Sequence, residues 1–232
     1  MSVFIYYIFN GVKRLFLVQS LKWCNSYDSI VTTMWIWFLL CFYAIFLIML
    51  KLFAKLYLNT RIVDELCKCI EEGDTVRCVK LLDEYDPNYI NVYNRNGYTP
   101  FLVACANGQT QIIKLMLKKG ANVKLKSKQF ESAFYLTTFY YIKNPHIKNA
   151  TCIRELYYAG ANIDEPNAKG LTPLQMAAMF GHTPLVRWLL LKNASAVTAP
   201  DPYMLAISQG HQETAKIIHA HTHGLAIEFK IK

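Results

Sequence analysis

The chain has 232 residues, 53% of them apolar and 14% aromatic, with a formal charge of +9. That charge divides as +4 over residues 1–60 (five Lys/Arg against one Asp) and +5 over residues 61–232 (20 against 15), with no dense basic block, which argues against a nucleic-acid interface. Seven cysteines, an odd number scattered at largely apolar positions, exclude a disulfide framework and read as unpaired core thiols of a reducing compartment.

Residues 1–28 are an N-terminal flank. Their apolar piece, residues 3–9, is too short to cross a bilayer. It is either an interfacial segment, with Lys13 and Arg14 set to meet anionic headgroups, or merely an adhesive terminus. Residues 29–50 carry no charge and are apolar on every side of a helix. At ~1.5 Å rise per residue they cover a hydrocarbon core of ~30 Å, so they read as a transmembrane helix. A soluble repeat domain has no layer to cover such a helix all round, and a cleaved signal peptide has a shorter run with a small-residue cleavage site. Trp35, Trp37 and Tyr57 suit interfacial anchoring. Lys13, Arg14 and Lys22 precede the span, while Lys51, Lys55, Arg61 and Lys68 follow it. That count, with the free thiols, predicts a cytosolic C-terminal side. Glycans at Asn149-Ala-Thr151 or Asn193-Ala-Ser195 would reverse the orientation. Residues 51–60, without Pro or Gly, are a short linker of helix-forming composition.

Residues 61–222 repeat. The first unit has a helix over residues 62–70, a break at Gly73-Asp74 and a second helix over 76–82, without a Thr-Pro turn. The second runs from Asn96-Gly-Tyr-Thr-Pro-Phe-Leu-Val-Ala through Gly108 and a second apolar helix to Gly120-Ala-Asn122. In the third, Phe130 stands where the second has Gly97, and Ser132-Ala-Phe134 replace Thr-Pro-Phe. From Phe130 to Gly170 is 40 residues, which is the repeat of about 33 plus an insertion placed at residues 143–150. The fourth keeps Gly170, Thr172, Pro173, Leu174, Ala177, Gly181 and His182. The fifth keeps Pro202, Ala206, Gly210 and His211, and its second helix, residues 214–219, is less apolar. Thr99 and Thr172 are placed to cap helix starts, Pro100 and Pro173 fit a first turn, and Gly supplies the backbone angles of the breaks.

This pattern resembles the ankyrin repeat, through Gly97, Thr99, Pro100, Phe101, Ala104, Gly108, Gly120 and Ala121, with Leu102 where the family usually has His. The resemblance implies an all-α helical solenoid of about five repeats joined by short β-hairpin loops, with the first and last units as caps. It follows the single transmembrane helix and leaves residues 223–232 as a tail.

No phosphate loop, nucleophile elbow, zinc-protease helix or kinase signature occurs, so no catalytic, cofactor or metal site is assigned and the chain is read as a non-enzyme. Cys67-x-Cys69 lacks a second pair at zinc spacing. His219, His221 and His223 are the one unusual cluster, weak as a metal site without a further ligand. Ankyrin-like arrays bind proteins through hairpin tips and the concave face of their first helices. Carried over by register, the partner-binding candidates are Arg95, Asn96, Tyr98, Asn107, Lys128, Gln129, Glu131, Tyr140, Lys169, Leu171, Met179 and Phe180, followed by Ser208 and Gln209. The expected function is recruitment of a protein partner to a membrane surface. Two alternatives stand beside it, an accessory subunit of a larger membrane complex and an effector of an intracellular microbe acting at host membranes.

Overall fold

A computed structural model of the chain describes residues 29–147 and 150–224. The flank at residues 1–28, the acceptor Asn149 and the tail from residue 225 lie outside the described residues. The chain divides into two units, Met1–Tyr57 and Leu58–Lys232.

Helix α1 spans Ser29–Glu71. No Pro or Gly interrupts residues 51–60, so the stretch read as a linker is helical, and the first helix of the repeat array is the end of α1. In the first unit, Trp37, Phe38, Leu40, Phe42, Ile45 and Ile48 are exposed, and so are Leu52, Phe53, Leu56 and Tyr57 beyond them. The helix is long and apolar enough to cross a membrane, by length and composition.

In the second unit α1 is followed by α2 (Thr75–Glu84) and a 3-10 turn (Pro87–Asn91), then by four helix pairs. These are α3 (Pro100–Ala106) with α4 (Thr110–Lys118), α5 (Ala133–Lys143) with α6 (Thr151–Tyr158), α7 (Pro173–Met179) with α8 (Thr183–Leu191), and α9 (Pro202–Ser208) with α10 (Gln212–Thr222). The first helices stack in order, α3 on α5, α5 on α7 and α7 on α9. The expected all-α solenoid of about five repeats is therefore the observed architecture, with ten α-helices among the described residues.

The first helix of each of the second to fifth units starts at a capping residue. Thr99 Oγ1 accepts from Leu102 N–H, Ser132 Oγ from Tyr135 N–H, Thr172 Oγ1 from Gln175 N–H and Asp201 Oδ1 from Tyr203 N–H. Such a cap is worth about 1 kcal/mol against Ala. Ser132 thus does in the degenerate third unit what Thr does in its neighbours. The core is one continuous seam in which Phe101, Leu102, Ile112, Ile113, Met116, Phe134, Ile153, Leu156, Leu174 and Leu189 are essentially inaccessible. Each large side chain so buried contributes about 1.5–3 kcal/mol, and no unit closes its seam alone.

Part of the third unit's insertion is helix. α5 runs to Lys143, one turn further than α3, α7 or α9 run past their caps, and the remainder forms the connection to α6. The fifth unit's second helix also runs past its expected limits of residues 214–219, carrying His219 and His221, with His223 at its C-cap.

Candidate partner-binding surface

Three hairpin tips share one hydrogen-bond pattern. Asn94, Ser127 and Asn167 each donate their backbone N–H to the carbonyl four residues on, at Tyr98, Glu131 and Leu171, and each side-chain oxygen accepts that residue's N–H. Five-residue loops closed twice over are rigid platforms. The tip position between these bonds needs positive φ, which Gly97 and Gly170 supply at 82° and 76°. In the third unit Phe130 takes it, at φ 60° and with its ring 66% exposed.

Tip candidates Arg95, Asn96, Lys128, Gln129 and Lys169 are exposed. Arg95 pairs with Asp64 at 3.2 Å, and the stem of Lys128 lies where a Cβ on Gly97 would be. Tyr98, Glu131 and Leu171 are half-buried, and the Tyr98 hydroxyl donates to Glu131 at 2.6 Å. Neighbouring tips are joined as well, by the Lys128 N–H to the Gly97 carbonyl at 3.0 Å.

On the first helices, Asn107 and Met179 are half-buried, and Asn107 turns its amide back to the Val103 carbonyl. Tyr140 packs its ring onto Gly108, filling the space that a side chain there would need. Phe180 is 45% exposed. Beside it stand two residues not singled out from sequence. Phe139, in register with Met179, is 37% exposed and stacks on Tyr135 at 6.5 Å. Lys143, in the extra turn of α5, holds its ammonium 5.3 Å from the Phe139 ring and 5.9 Å from the Phe180 ring. The signal for Phe139 was its spacing of four residues before Lys143 and one before Tyr140. Met204 and Ile207 on α9 are also exposed, whereas Ser208 and Gln209 are exposed polar residues at its end.

Residues at the position where the family usually has His serve the scaffold. Leu102 is wholly buried. Tyr135 accepts from Asn167 Nδ2 at 2.7 Å, and Gln175 donates to the Pro200 carbonyl and to Thr198, so each ties its unit to the next loop. His182 caps α8, its Nδ1 accepting from Leu185 N–H, and burial holds the imidazole below its ordinary pKa. His211 makes no such cap; its ring packs against Gly181.

The carboxylates have structural partners. Asp164 accepts from Ser195 N–H, and Glu165, which lies beside Lys126 and accepts from Asn162, is held below the usual carboxylate range chiefly by that lysine. Outer-helix charges pair between units, Lys114 with Glu155 and Arg187 with Glu213. Cys67, Cys69, Cys78, Cys105 and Cys152 are buried free thiols whose pKa burial raises, Cys67 to about 12. Cys69 and Cys78 meet at 2.9 Å across the break after α1, a pairing that sequence spacing did not disclose. The His219 and His223 rings stack at 4.0 Å, with His223 Nδ1 against the His219 carbonyl, and no metal-type cluster of three ligands occurs among the described residues. A hollow between Ile62, Leu66, Leu81, Tyr85 and Tyr89 has about 10 Å³, room for one water at most.

The model of a family described as ankyrin repeats matches residues 59–135 and 140–228. Among curated proteins the chain is similar to an IkB-like protein of African swine fever virus (28% identical over 134 residues, 55% of this chain and 54% of that one). It is likewise similar to human SH3 and multiple ankyrin repeat domains protein 2 (29% over 156 residues, 65% of this chain and 8% of that one). A third is the human NAD-capped RNA hydrolase NUDT12 (28% over 96 residues, 41% and 20%). The chain spans about half the length of the viral relative and far less of the other two.

Proposed function

The chain belongs to the ankyrin-repeat family, and from that premise we propose that it is a membrane-anchored, non-catalytic recruiter that holds a protein partner on the face of its first helices. Ankyrin repeats typically bind proteins, and the repeat domain is a protein–protein interaction module. The finer reading is carried by one observation. α3, α5 and α7 bury most of their side chains, yet Phe139 on α5 and Phe180 at the C-cap of α7 remain exposed, as do Met204 and Ile207 on α9, whose buried residues are Pro202 and Ala206. Exposed aromatic and branched side chains on rigid helices are the material of binding hot spots.

The anchor is supported by α1, apolar on all sides over residues 37–50 and exposed there. Anchoring adds no contact to the partner. It confines the repeat domain to a surface, and so raises the effective concentration of whatever the domain binds. The repeat side is proposed to be cytosolic, on the lysine count and the free thiols.

Alkaline carbonate extraction of cell membranes tests the anchor: the chain is expected to stay in the pellet, and its release would refute anchoring. Affinity purification with Phe180→Ala tests the surface, since this half-exposed ring can be removed without opening the core. Loss of co-purifying protein with an unchanged circular dichroism melt supports the reading, and an unchanged set of proteins refutes it.

A further inference from the structure

The four first helices of the second to fifth units contain no Asp or Glu, and their one charged residue is Lys143. No carboxylate lies within ion-pair distance of its ammonium among the described residues, whereas Lys114, Lys126 and Arg187 elsewhere in the array each have one. The tips are mixed: Arg95 is paired with Asp64, whereas Lys128, Lys169 and Glu131 have no ion partner among the described residues, Glu131 accepting from the neutral hydroxyls of Tyr98 and Ser127. The one charge on the first helices themselves is an unpaired cation.

Lys143 is also placed for recognition. The extra turn of α5 carries it past the level at which the neighbouring first helices end, and its ammonium stands over both the Phe139 and the Phe180 rings. A cation held over two ring faces, with apolar surface around it, keeps its donors free for an incoming anion. Water screens such a charge less once a ligand covers the rings.

We propose that this face reads an acidic segment of a partner protein, one that sets an Asp or Glu carboxylate on Lys143 and apolar side chains against Phe139 and Phe180. The proposal rests on the surface assigned under the proposed function and adds the chemistry of its occupant. A nucleic acid is a poorer fit, because tracking its phosphates needs a row of cations and the first helices offer one.

The test uses the full chain in phosphatidylcholine nanodiscs, which add no anionic lipid. A phage-displayed random dodecapeptide library is selected on it, with counter-selection on empty discs. Enriched peptides are expected to carry Asp or Glu next to apolar residues well above the library frequency. A synthetic peptide of that consensus is expected to bind about tenfold more weakly to Lys143→Glu, less so to Lys143→Gln, and progressively more weakly as salt rises. Lys192→Glu, on the outer helix α8 side, should bind as the parent does. Peptides without acidic excess, or an affinity indifferent to Lys143→Glu, overturn the proposal. If such peptides are nevertheless lost with Phe180→Ala, only the charge preference falls. If neither substitution matters, the surface itself is misassigned. Tighter binding of single-stranded RNA than of any selected peptide at the same salt would also overturn it. Circular dichroism melts of each variant keep loss of fold apart from loss of binding.

Discussion

Tyr98 and Glu131, on adjacent hairpin tips, are bonded to one another, the phenol donating to the carboxylate at 2.6 Å. Both are surface candidates from the sequence, and the bond spends the polar atoms of each on joining the second unit to the third. Burial first, and then the Glu131 charge, push the Tyr98 hydroxyl up to about 12. An unfolded tyrosine titrates near 10, so the fold favours the neutral phenol. The stabilisation is present in full below about pH 10 and is lost as pH rises toward the folded value. Tyr98→Phe is expected to cost about 1 kcal/mol at neutral pH in urea melts, and to flatten the loss of stability above pH 10. An alkaline slope identical to the parent's would contradict this.

His182 makes the opposite prediction. Its Nδ1 must be unprotonated to accept from Leu185 N–H, and burial lowers its pKa in the fold. The stabilisation is present above about pH 6.5, the unfolded value, and is lost as pH falls through the lower folded value. His182→Asn keeps a good cap that does not titrate in this range. The melting temperature of the parent should fall faster than the variant's between pH 7 and pH 5. Parallel falls would remove His182 from the account.

Phe130 holds a left-handed backbone at the position where two other tips have Gly. A left-handed residue with a side chain costs about 1–2 kcal/mol, part of which Gly returns as chain entropy, so Phe130→Gly should stabilise the fold by up to about 1 kcal/mol. Little burial is lost, since the ring is 66% exposed. A strained, exposed aromatic at a tip suggests use in binding. The substitution should therefore raise the urea midpoint while lowering partner capture in the same preparation. A lowered midpoint would show that the ring is part of the scaffold.

The scaffold was legible because its rules act on single residues. A tip that needs positive φ selects Gly, a helix start selects Thr or Ser, and the spacing between them returns at each unit, so the register survived even where Ser132 and Phe130 replaced the usual residues. What stayed hidden depends on neighbours. Pro145 and the flanking asparagines marked a loop, but nothing local announced that α5 would add a turn before it. Tyr140 and Phe139 are adjacent aromatics of similar composition and context. Which one packs and which stays exposed is decided by Gly108 in another unit, against which the Tyr140 ring lies. The meeting of Cys69 and Cys78 likewise depends on how α2 folds back on the end of α1. The continuous helix through residues 51–60 was consistent with composition, but helix and linker share that composition.

We propose that the first-helix face selects a partner and that residues 29–50 keep the chain at a membrane. Proximity biotinylation in intact cells tests it most directly, with a ligase fused to the full chain, to a Phe139→Ala/Phe180→Ala variant, and to a chain whose residues 29–50 are replaced by an unrelated transmembrane helix. The labelled set is expected to survive the helix exchange and to disappear with the double substitution. Labelling that is unchanged by the double substitution, or lost on exchanging the helix alone, would contradict the proposal.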